Sequence, residues 1–573
     1  MIGIDLKYSN NKVNKLKLYN NHDKVLQFNL SGPKIFLVGN IFERKSSILK
    51  KFKKFYRLRK YRDLLNFDGE YFFIIFEKKD NKLIFGNSNN SYIPIFYISE
   101  NKKLQISSNI LNIDNSYFKN VDFQQIAQWL ALNGRSFENN TFIKSIKVLE
   151  PGSVCVYFNN KIAIENSPCF SYKNNKTSLE KSILDISSSL KKAVNKRIKK
   201  SKGNISFGLS GGIDSRILLS LIKKENLHKI KTHTIGDDMT YEKIIASKIS
   251  KILKTDHNEV VVPKSDYYKY SVQSVKEGSF NSVFKNGVKT KYYKQIKKKD
   301  KSKYFMLANA LDVLIASSFS DKKLLNLKNN NQFIRWYKKK FLLFNIKEIN
   351  KLFKIKIKLK DKNINLLLKQ FIKKIKFNKD YVNLNDALTF ETRIKRWHNY
   401  SLAQQSRISN FLIPTYDTEF LKHCSNIHSK YRSDDFFRKK LLESINPKLA
   451  QIETADAFIP AWVDKKIESQ FKKLIIEEEN LKKELYLEGK INTPITSKLY
   501  DTNLGNDMIF NKHFTNLYLK LRKNLGKSKF RKVLNFNYID KLISEHKKNK
   551  KDNTRKIFMI ISMIISLNLI SKK

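Results

Sequence analysis

The sequence is poor in cysteine, in acidic residues and in long apolar runs, and each shortage removes a class of protein. Its 573 residues hold only three cysteines, Cys155, Cys169 and Cys424. They show no C-x-x-C spacing and no paired framework, which excludes a disulfide scaffold and a cysteine zinc site and fits a reducing cytoplasm. Asp and Glu total 52 against 112 Lys and Arg, a formal net charge of +60. So basic a chain invites a nucleic-acid reading. The lysines are spread through every segment, however, and Lys, Asn and Ile are abundant together, as an AT-rich genome produces. The expectation is weak, salt-sensitive adhesion to anions and no specific nucleic-acid partner. One apolar run stands out, Ile557 to Ile570, but it carries Ser562, Ser566 and Asn568 and is too short to cross a bilayer. It predicts a buried terminal helix and no membrane span. Met1-Ile2-Gly3-Ile4-Asp5 does not read as a signal peptide, so a cytoplasmic protein is expected.

What is present describes a folded, multidomain chain. Hydrophobic content of 41% and aromatic content of 12% are globular values, and the length allows two to four domains with ample core. Up to about residue 170 the pattern is β-rich. Lys34–Gly39, Tyr71–Phe76, Leu83–Phe85, Ile93–Ile98 and Ser153–Phe158 are short apolar or alternating runs, divided by turn-prone clusters such as Lys79-Asp80-Asn81. A polar stretch, Tyr172 to Lys176, precedes a helical segment from Leu179 to Ile198 and marks a domain boundary. Helices and strands then alternate from about 177 to 280, which predicts a parallel sheet. Beyond about 320 the chain reads as helical, with Lys-rich linkers at 297–303 and 546–552. No internal repeat is present.

The most informative residues are Ser210-Gly211-Gly212-Ile213-Asp214-Ser215. An apolar, strand-like run, Asn204 to Leu209, leads in, and a helix-like stretch, Arg216 to Lys223, leads out. A strand that turns through glycines into a helix start is a phosphate cradle: glycine permits positive φ and close backbone approach, and the helix N-terminus favours an anion. Asp214 would repel a bare phosphate, so its presence implies a divalent cation between carboxylate and polyphosphate, Mg²⁺ being the usual one. With no Gly-Lys-Ser/Thr ending, this is not a Walker A loop.

This loop resembles the pyrophosphate-binding loop of the N-type ATP pyrophosphatases, which split ATP into AMP and PPi while adenylating a substrate. The chain as a whole resembles asparagine synthetase and its relatives. In the first half the resemblance rests on Leu65 to Phe72 with Asp68-Gly69, on Leu83 to Asn87, on Pro94-Ile95-Phe96-Tyr97, and on the lead-out ending Leu149-Glu150-Pro151-Gly152. In the second half it rests on Ser210–Ser215, Thr232 to Gly236, Asp256 to Val260, Leu307 to Asp312 and Pro414 to Asp417. The implied fold is α/β: a degenerate nucleophile-hydrolase αββα domain (residues 1–170, glutamine amidotransferase-like) followed by a Rossmann-like, doubly wound ATP-pyrophosphatase domain with helical additions (177–573). The resemblance implies ATP and Mg²⁺, with pyrophosphate on Ser210, Gly211, Gly212 and Ser215 and the metal on Asp214 and Asp312. Leu209, Ile235 and Ala308 match the positions that contact adenosine, mainly through backbone. A homodimer is the implied assembly.

Three departures bear on activity. Family glutaminases use an N-terminal cysteine nucleophile, and this sequence has Ile2, which cannot attack an amide. The family's G-E-G-x-D-E loop becomes Ala308-Asn309-Ala310-Leu311-Asp312-Val313: Asp312 is kept, while Asn309 and Val313 replace carboxylates, the first of which removes a proton from the attacking amine. The lysine-containing loops that stabilise the adenylate are not recognisable in Arg438 to Phe458. Glu391 to Trp397 and Asn446 to Ile452 look instead like a divergent asparagine-synthase-related branch met in surface-polysaccharide biosynthesis. Arg393 and Arg396 could bind an acidic substrate or form a charged helix face, the latter being the expectation, and His233 and His257 read as structural. The expected activity is ATP-dependent amide formation between an unknown carboxylate and ammonia or another amine. Two alternatives stay open: an inactive paralogue acting as a binding or assembly protein, and an RNA-modifying pyrophosphatase, which the charge favours and the N-terminal half disfavours.

Overall fold

The computed structural model describes residues 2–573 apart from 10–11, 21–24, 30–31, 174–176, 202, 236–240, 263, 455–458, 464–466, 472, 475–476, 478–508 and 549. The N-terminal part is built from two antiparallel sheets. One has the order β2-β1-β8-β7-β9, with β1 Ile2–Ser9, β2 Lys12–Asn20, β7 Ile95–Glu100, β8 Lys103–Ser107 and β9 Lys147–Leu149. The other runs β11-β10-β6-β5-β4-β3, with β3 Leu26–Asn29, β4 Lys34–Ile41, β5 Gly69–Glu77, β6 Lys82–Asn87, β10 Ser153–Phe158 and β11 Lys161–Asn166. Period-two patterning sorts the apolar residues of β5 between two layers. Phe72 and Ile74 join Ile4, Leu6, Phe96 and Ile106 in the main core, while Phe73 and Ile75 pack with Ile48 and Phe52 of helix α1, Lys45–Arg57. This is the sandwich expected of a nucleophile-hydrolase fold. Ile2 opens β1, paired with Asn20 of β2. Helix α2, Phe123–Ala131, starts at an Asp122 cap.

The third sheet is wholly parallel, in the order β14-β13-β12-β15-β16: β12 Ile205–Gly208, β13 Ile230–Ile235, β14 Asp256–Val260, β15 Tyr304–Met306 and β16 Asn410–Leu412. From β12 the chain steps outward through β13 and β14, then returns to the other side of β12 for β15 and β16. Right-handed crossovers place helices on opposite faces after such a reversal, which makes the sheet doubly wound. Its connecting helices include α3 Leu179–Lys200 before β12, α4 Ile213–Ser220, α5 Tyr241–Leu253, α6 Lys264–Glu277, α7 Gly287–Asp300 and α8 Leu311–Ala316. Tyr292 and Tyr293 of α7 seat against Phe305 of β15, and Tyr293 also meets Phe411 of β16.

Two local expectations change. The Lys-rich stretches begin as helix ends and only then become connections: Lys297–Asp300 finishes α7, closed by Lys301 at φ 53°, before 301–303 lead to β15, and His546–Lys547 finishes the helix Phe536–Lys547 ahead of a connection to the helix at Thr554. Cations suit the last helical turn, which is why these runs continue the helix. The run at 557–570 is a helix, Thr554–Ile570, buried along nearly its whole length. Among the described residues no helix is long and apolar enough to cross a membrane.

Candidate functional site

The topological switch lies between β12 and β15, neighbouring parallel strands that pair through Phe207 and Met306. Open α/β sheets bind ligands at such a point, beyond the carboxyl ends of the strands. The 210–215 loop leaves β12 there, and the 307–312 loop leaves β15 beside it.

The first loop turns into α4 three residues earlier than the apolar pattern implied. Gly212 is its N-cap, with φ −86° and ψ 165°. The positive φ expected of the loop glycines is therefore not used at Gly212. Space is the tighter constraint, since a Cβ there would approach Ser210 Oγ to 3.2 Å. Ser215 Oγ donates to the carbonyls of Ser210 (3.0 Å) and Gly212 (3.1 Å), and the Gly212 amide donates to Ser210 Oγ (3.2 Å). These bonds curl the backbone around the helix start. Leu209 is buried with its amide on the His233 carbonyl (2.9 Å) and its own carbonyl on Thr234 Oγ1 (2.6 Å). Its backbone polar groups are thus already engaged within the sheet. Ile235 ends β13 and is half-buried at the same edge.

Asp214 falls in the first turn of α4, where the helix favours negative charge. Its Oδ1 accepts from Arg438 Nη1 at 2.8 Å. Arg438 belongs to the helix Phe436–Ile445, and its Nη2 holds Asp435. Burial pushes the Asp214 carboxyl up to about 6; Arg438 opposes the shift, and the charge of Asp312 adds to it. Asp312 is thus near enough to be felt electrostatically by both Asp214 and Arg438.

The second loop bends through Ala310 at φ 64°, the N-cap of α8, whose first turn carries Asp312. Ala308 is half-buried beside it. Asn309 is turned inward: its amide donates to Tyr416 Oη (2.8 Å), that hydroxyl donates to Asn399 Oδ1 (2.7 Å), and Thr415 Oγ1 caps the Asn309 carbonyl. An amide without charge can serve as such a buried tie, whereas a carboxylate there would bring uncompensated charge.

Two residues that hold the loop escaped the sequence reading. Arg216, fully buried, donates to the carbonyls of Gly211 (2.9 Å), Leu449 (3.0 Å), Ile452 (2.7 Å) and Glu453, so it pins the glycine loop to the turn after the helix Pro447–Ala450. Arg438 is the second. Neither belongs to the hexapeptide, although Arg216 directly follows it, and the contacts that tie them across the fold, to Leu449, Ile452 and Glu453 and to Asp214, span more than 220 residues of sequence.

The remaining candidates are structural. His233 Nε2 lies 2.5 Å from Asp300 Oδ2, fully buried, and His257 contacts the Thr232 hydroxyl at 3.0 Å. Arg393 and Arg396 stand on a π-helical stretch, Phe390–His398, and not on an exposed charged face. Arg396 is 9% exposed and pairs with Glu150, while Arg393 lies over the Phe319 and Trp397 rings. Acidic and aromatic partners from distant segments neutralise and cover what the sequence presents as surface charge. Cys155 and Cys424 are buried and Cys169 half-buried, all free; burial pushes the Cys169 thiol up to about 11.

As to the metal, the donor set suits Mg²⁺ only in part. Two carboxylates plus substrate phosphates are a usual complement for that ion, and Asp214 and Asp312 could supply them. Among the described residues no group of three or more His, Cys, Asp or Glu could hold a metal without such help.

Comparison with known proteins agrees on one segment. Residues 185–277, from α3 through α6 and including the 210–215 loop, match the asparagine synthase family. Asp312 and Arg438 lie outside that segment. No curated protein matches the chain. Among solved structures, an allosteric regulatory enzyme of purine biosynthesis aligns at 9% identity over 45% of this chain and 74% of that one, with a TM-score of 0.18. A glutamine phosphoribosylpyrophosphate amidotransferase from B. subtilis, complexed with ADP and GMP, aligns at 11% identity over 45% of this chain and 59% of that one, with a TM-score of 0.17. At scores this low neither likeness bears on the fold, which rests on the strand pairing described above.

Proposed function

We propose that the parallel-sheet part is an ATP-dependent amide-forming ligase site that uses free ammonia or an amine. The observation that carries this reading is the meeting of the 210–215 loop with Asp312 at the β12–β15 switch point, close enough for Asp312 to raise Asp214. Ser210, Gly211, Gly212 and Ser215 would bind the pyrophosphate part of ATP, with Leu209, Ile235 and Ala308 bordering adenosine. Asp214 and Asp312 would hold Mg²⁺, which when bound neutralises polyphosphate charge. A substrate carboxylate oxygen attacks the α-phosphorus, the bond to the β-phosphate breaks, and PPi leaves with the electron pair. Ammonia then attacks the acyl carbon, AMP leaves, and the surplus proton passes to solvent or a second amine, because the Asn309 amide cannot accept it.

Glutamine would not serve as nitrogen source, since Ile2 offers no nucleophile. A second reading, a nucleotide-binding scaffold without turnover, draws on the inward turn of Asn309 and the engagement of Asp214 by Arg438. Asp214→Ala tests the site itself. Calorimetry should find Mg·ATP affinity reduced at least about tenfold with the melting temperature little changed, as expected when a charge-assisted contact is lost. Unchanged affinity would remove the assignment. ATP–PPi exchange by the unaltered protein then separates ligase from scaffold.

A further inference from the structure

The guanidinium of Arg438 is held by two carboxylates, those of Asp214 and Asp435, and a third, that of Asp312, acts on it electrostatically. Its Nη1 is 2.8 Å from Asp214 Oδ1 and its Nη2 holds Asp435. The contact is shielded, with the side chains of Arg438, Asp214 and Asp435 exposed by 16%, 25% and 14%. Two polar atoms in this cluster have no hydrogen-bond partner although they are buried: Arg438 Nε and Asp435 Oδ1. A buried donor and a buried acceptor each left open are costly unless something else meets them. The backbone fixes the arrangement, because Asp434 (φ 56°) and Asp435 (φ 67°) both adopt the left-handed region immediately before the helix Phe436–Ile445. Such conformations cost free energy at non-glycine residues and persist where the surroundings impose them.

Taking the loop as a nucleotide site, as proposed above, we infer that Arg438 is the exchange partner of the divalent cation at Asp214. Without nucleotide the guanidinium occupies Asp214 and keeps the carboxylate from binding metal on its own. The three carboxylates against one guanidinium leave two negative charges, which a divalent cation balances. When metal arrives with polyphosphate, the cation takes Asp214, and Arg438 stays tethered through Asp435. Its released Nη1 and its open Nε then present a planar pair of donors to phosphate oxygens, a geometry that guanidinium offers and ammonium does not. Metal and nucleotide are thereby made to bind together, and metal alone is disfavoured.

The test titrates Mn²⁺ alone and Mn·ATP against the full-length protein, Arg438→Met and Arg438→Lys, by electron paramagnetic resonance of free Mn²⁺ and by calorimetry. Arg438→Met should bind Mn²⁺ alone about tenfold more tightly, the scale of one partly shielded ion pair removed. Its Mn·ATP affinity should not rise, so the ratio of Mn·ATP to Mn²⁺ affinity falls by about tenfold or more. Arg438→Lys, which keeps the charge but not the fork, should fall between, and it carries the test if the methionine variant does not fold. Mn²⁺ affinity that is unchanged or lower in both variants overturns the inference and leaves Arg438 as a support for Asp214. If Asp214→Ala itself leaves Mn·ATP affinity intact, the nucleotide reading fails instead, and the two failures are distinguishable.

Discussion

Glu70 offers the sharpest perturbation in the molecule. It lies in β5 with no exposed surface, at the junction between the N-terminal sheets and the parallel sheet, and neither carboxylate oxygen has a hydrogen-bond partner. Arg197 of α3, also fully buried, stands 4.0 Å away but is committed elsewhere: Nη2 to Asp68 at 3.1 Å and Nη1 to Asp417 at 3.2 Å. Lys196 adds a second cation to Asp68 at 2.5 Å. Burial, with the charge of Asp68 added to it, pushes Glu70 up to about 8 in spite of Arg197 and of Lys200, a third cation that acts on it. A carboxyl raised on folding binds its proton more tightly in the native state. Its stabilising effect is complete below the ordinary carboxylate pKa and is lost as pH rises through the folded value.

From an ordinary value of 4.5 to about 8, at 1.36 kcal/mol for each pKa unit, Glu70 should withdraw about 4 kcal/mol between pH 5 and pH 8. Glu70→Gln keeps the shape and removes the titration. The two proteins should melt at similar temperatures near pH 5, and the variant should be the more stable by several degrees at pH 8. Scanning calorimetry of both across that range isolates Glu70, because every other titrating group is common to the pair. Parallel curves would refute the argument and mean that Glu70 is ionised and compensated throughout.

Arg216→Ala should destabilise the protein by about 3 kcal/mol or more in denaturant titrations, since four carbonyls lose their common donor in a buried place. The same variant should weaken nucleotide binding through the freed Gly211 backbone. Asn309→Glu should gain no turnover in ATP–PPi exchange and should melt lower, because Tyr416 has one hydroxyl proton and would face two acceptors, Asn399 and the new carboxylate. Purified protein should release no glutamate from glutamine; release that survives replacement of Cys155, Cys169 and Cys424 would show a nucleophile other than those three thiols.

The elements that the sequence discloses are those whose signal is local. The apolar runs of β5 and β6 are buried on both faces and stand out against a lysine-rich background, and the glycine pair between β12 and α4 is self-contained. Strand β2, Lys-Val-Asn-Lys-Leu-Lys-Leu-Tyr-Asn, is hidden by its own chemistry: an edge strand that guards itself with lysine resembles a solvated loop. Charged residues are misread for a related reason. Arg197, Arg216, Arg396 and Arg438 are ordinary members of a chain with 112 basic residues, and only partners 220, 236, 246 and 224 positions away reveal them as buried ties. Charge in sequence is read as solvated because most charge is. The exceptions depend on long-range pairing that no window of residues contains.

That pairing also couples the N-terminal sheets closely to the parallel sheet. Asn40 of β4 donates to the carbonyl of Phe411 in β16, Asn90 donates to that of Tyr416, and Asn399 donates to that of Ser91. Tyr416 is the residue that receives the Asn309 amide, so the N-terminal sheets brace the wall from which the Asp312 loop hangs. The Arg197 cluster does the same for α3, which enters β12 and the glycine loop. Removing the N-terminal part would uncover Glu70's partners, leave Arg197 without Asp68, and strip the Phe411 and Tyr416 carbonyls of their donors. Buried charge and unpaired carbonyls are each costly, and here they would fall on the elements that shape the glycine loop. The N-terminal sheets thus support the loops at the β12–β15 switch through these buried ties.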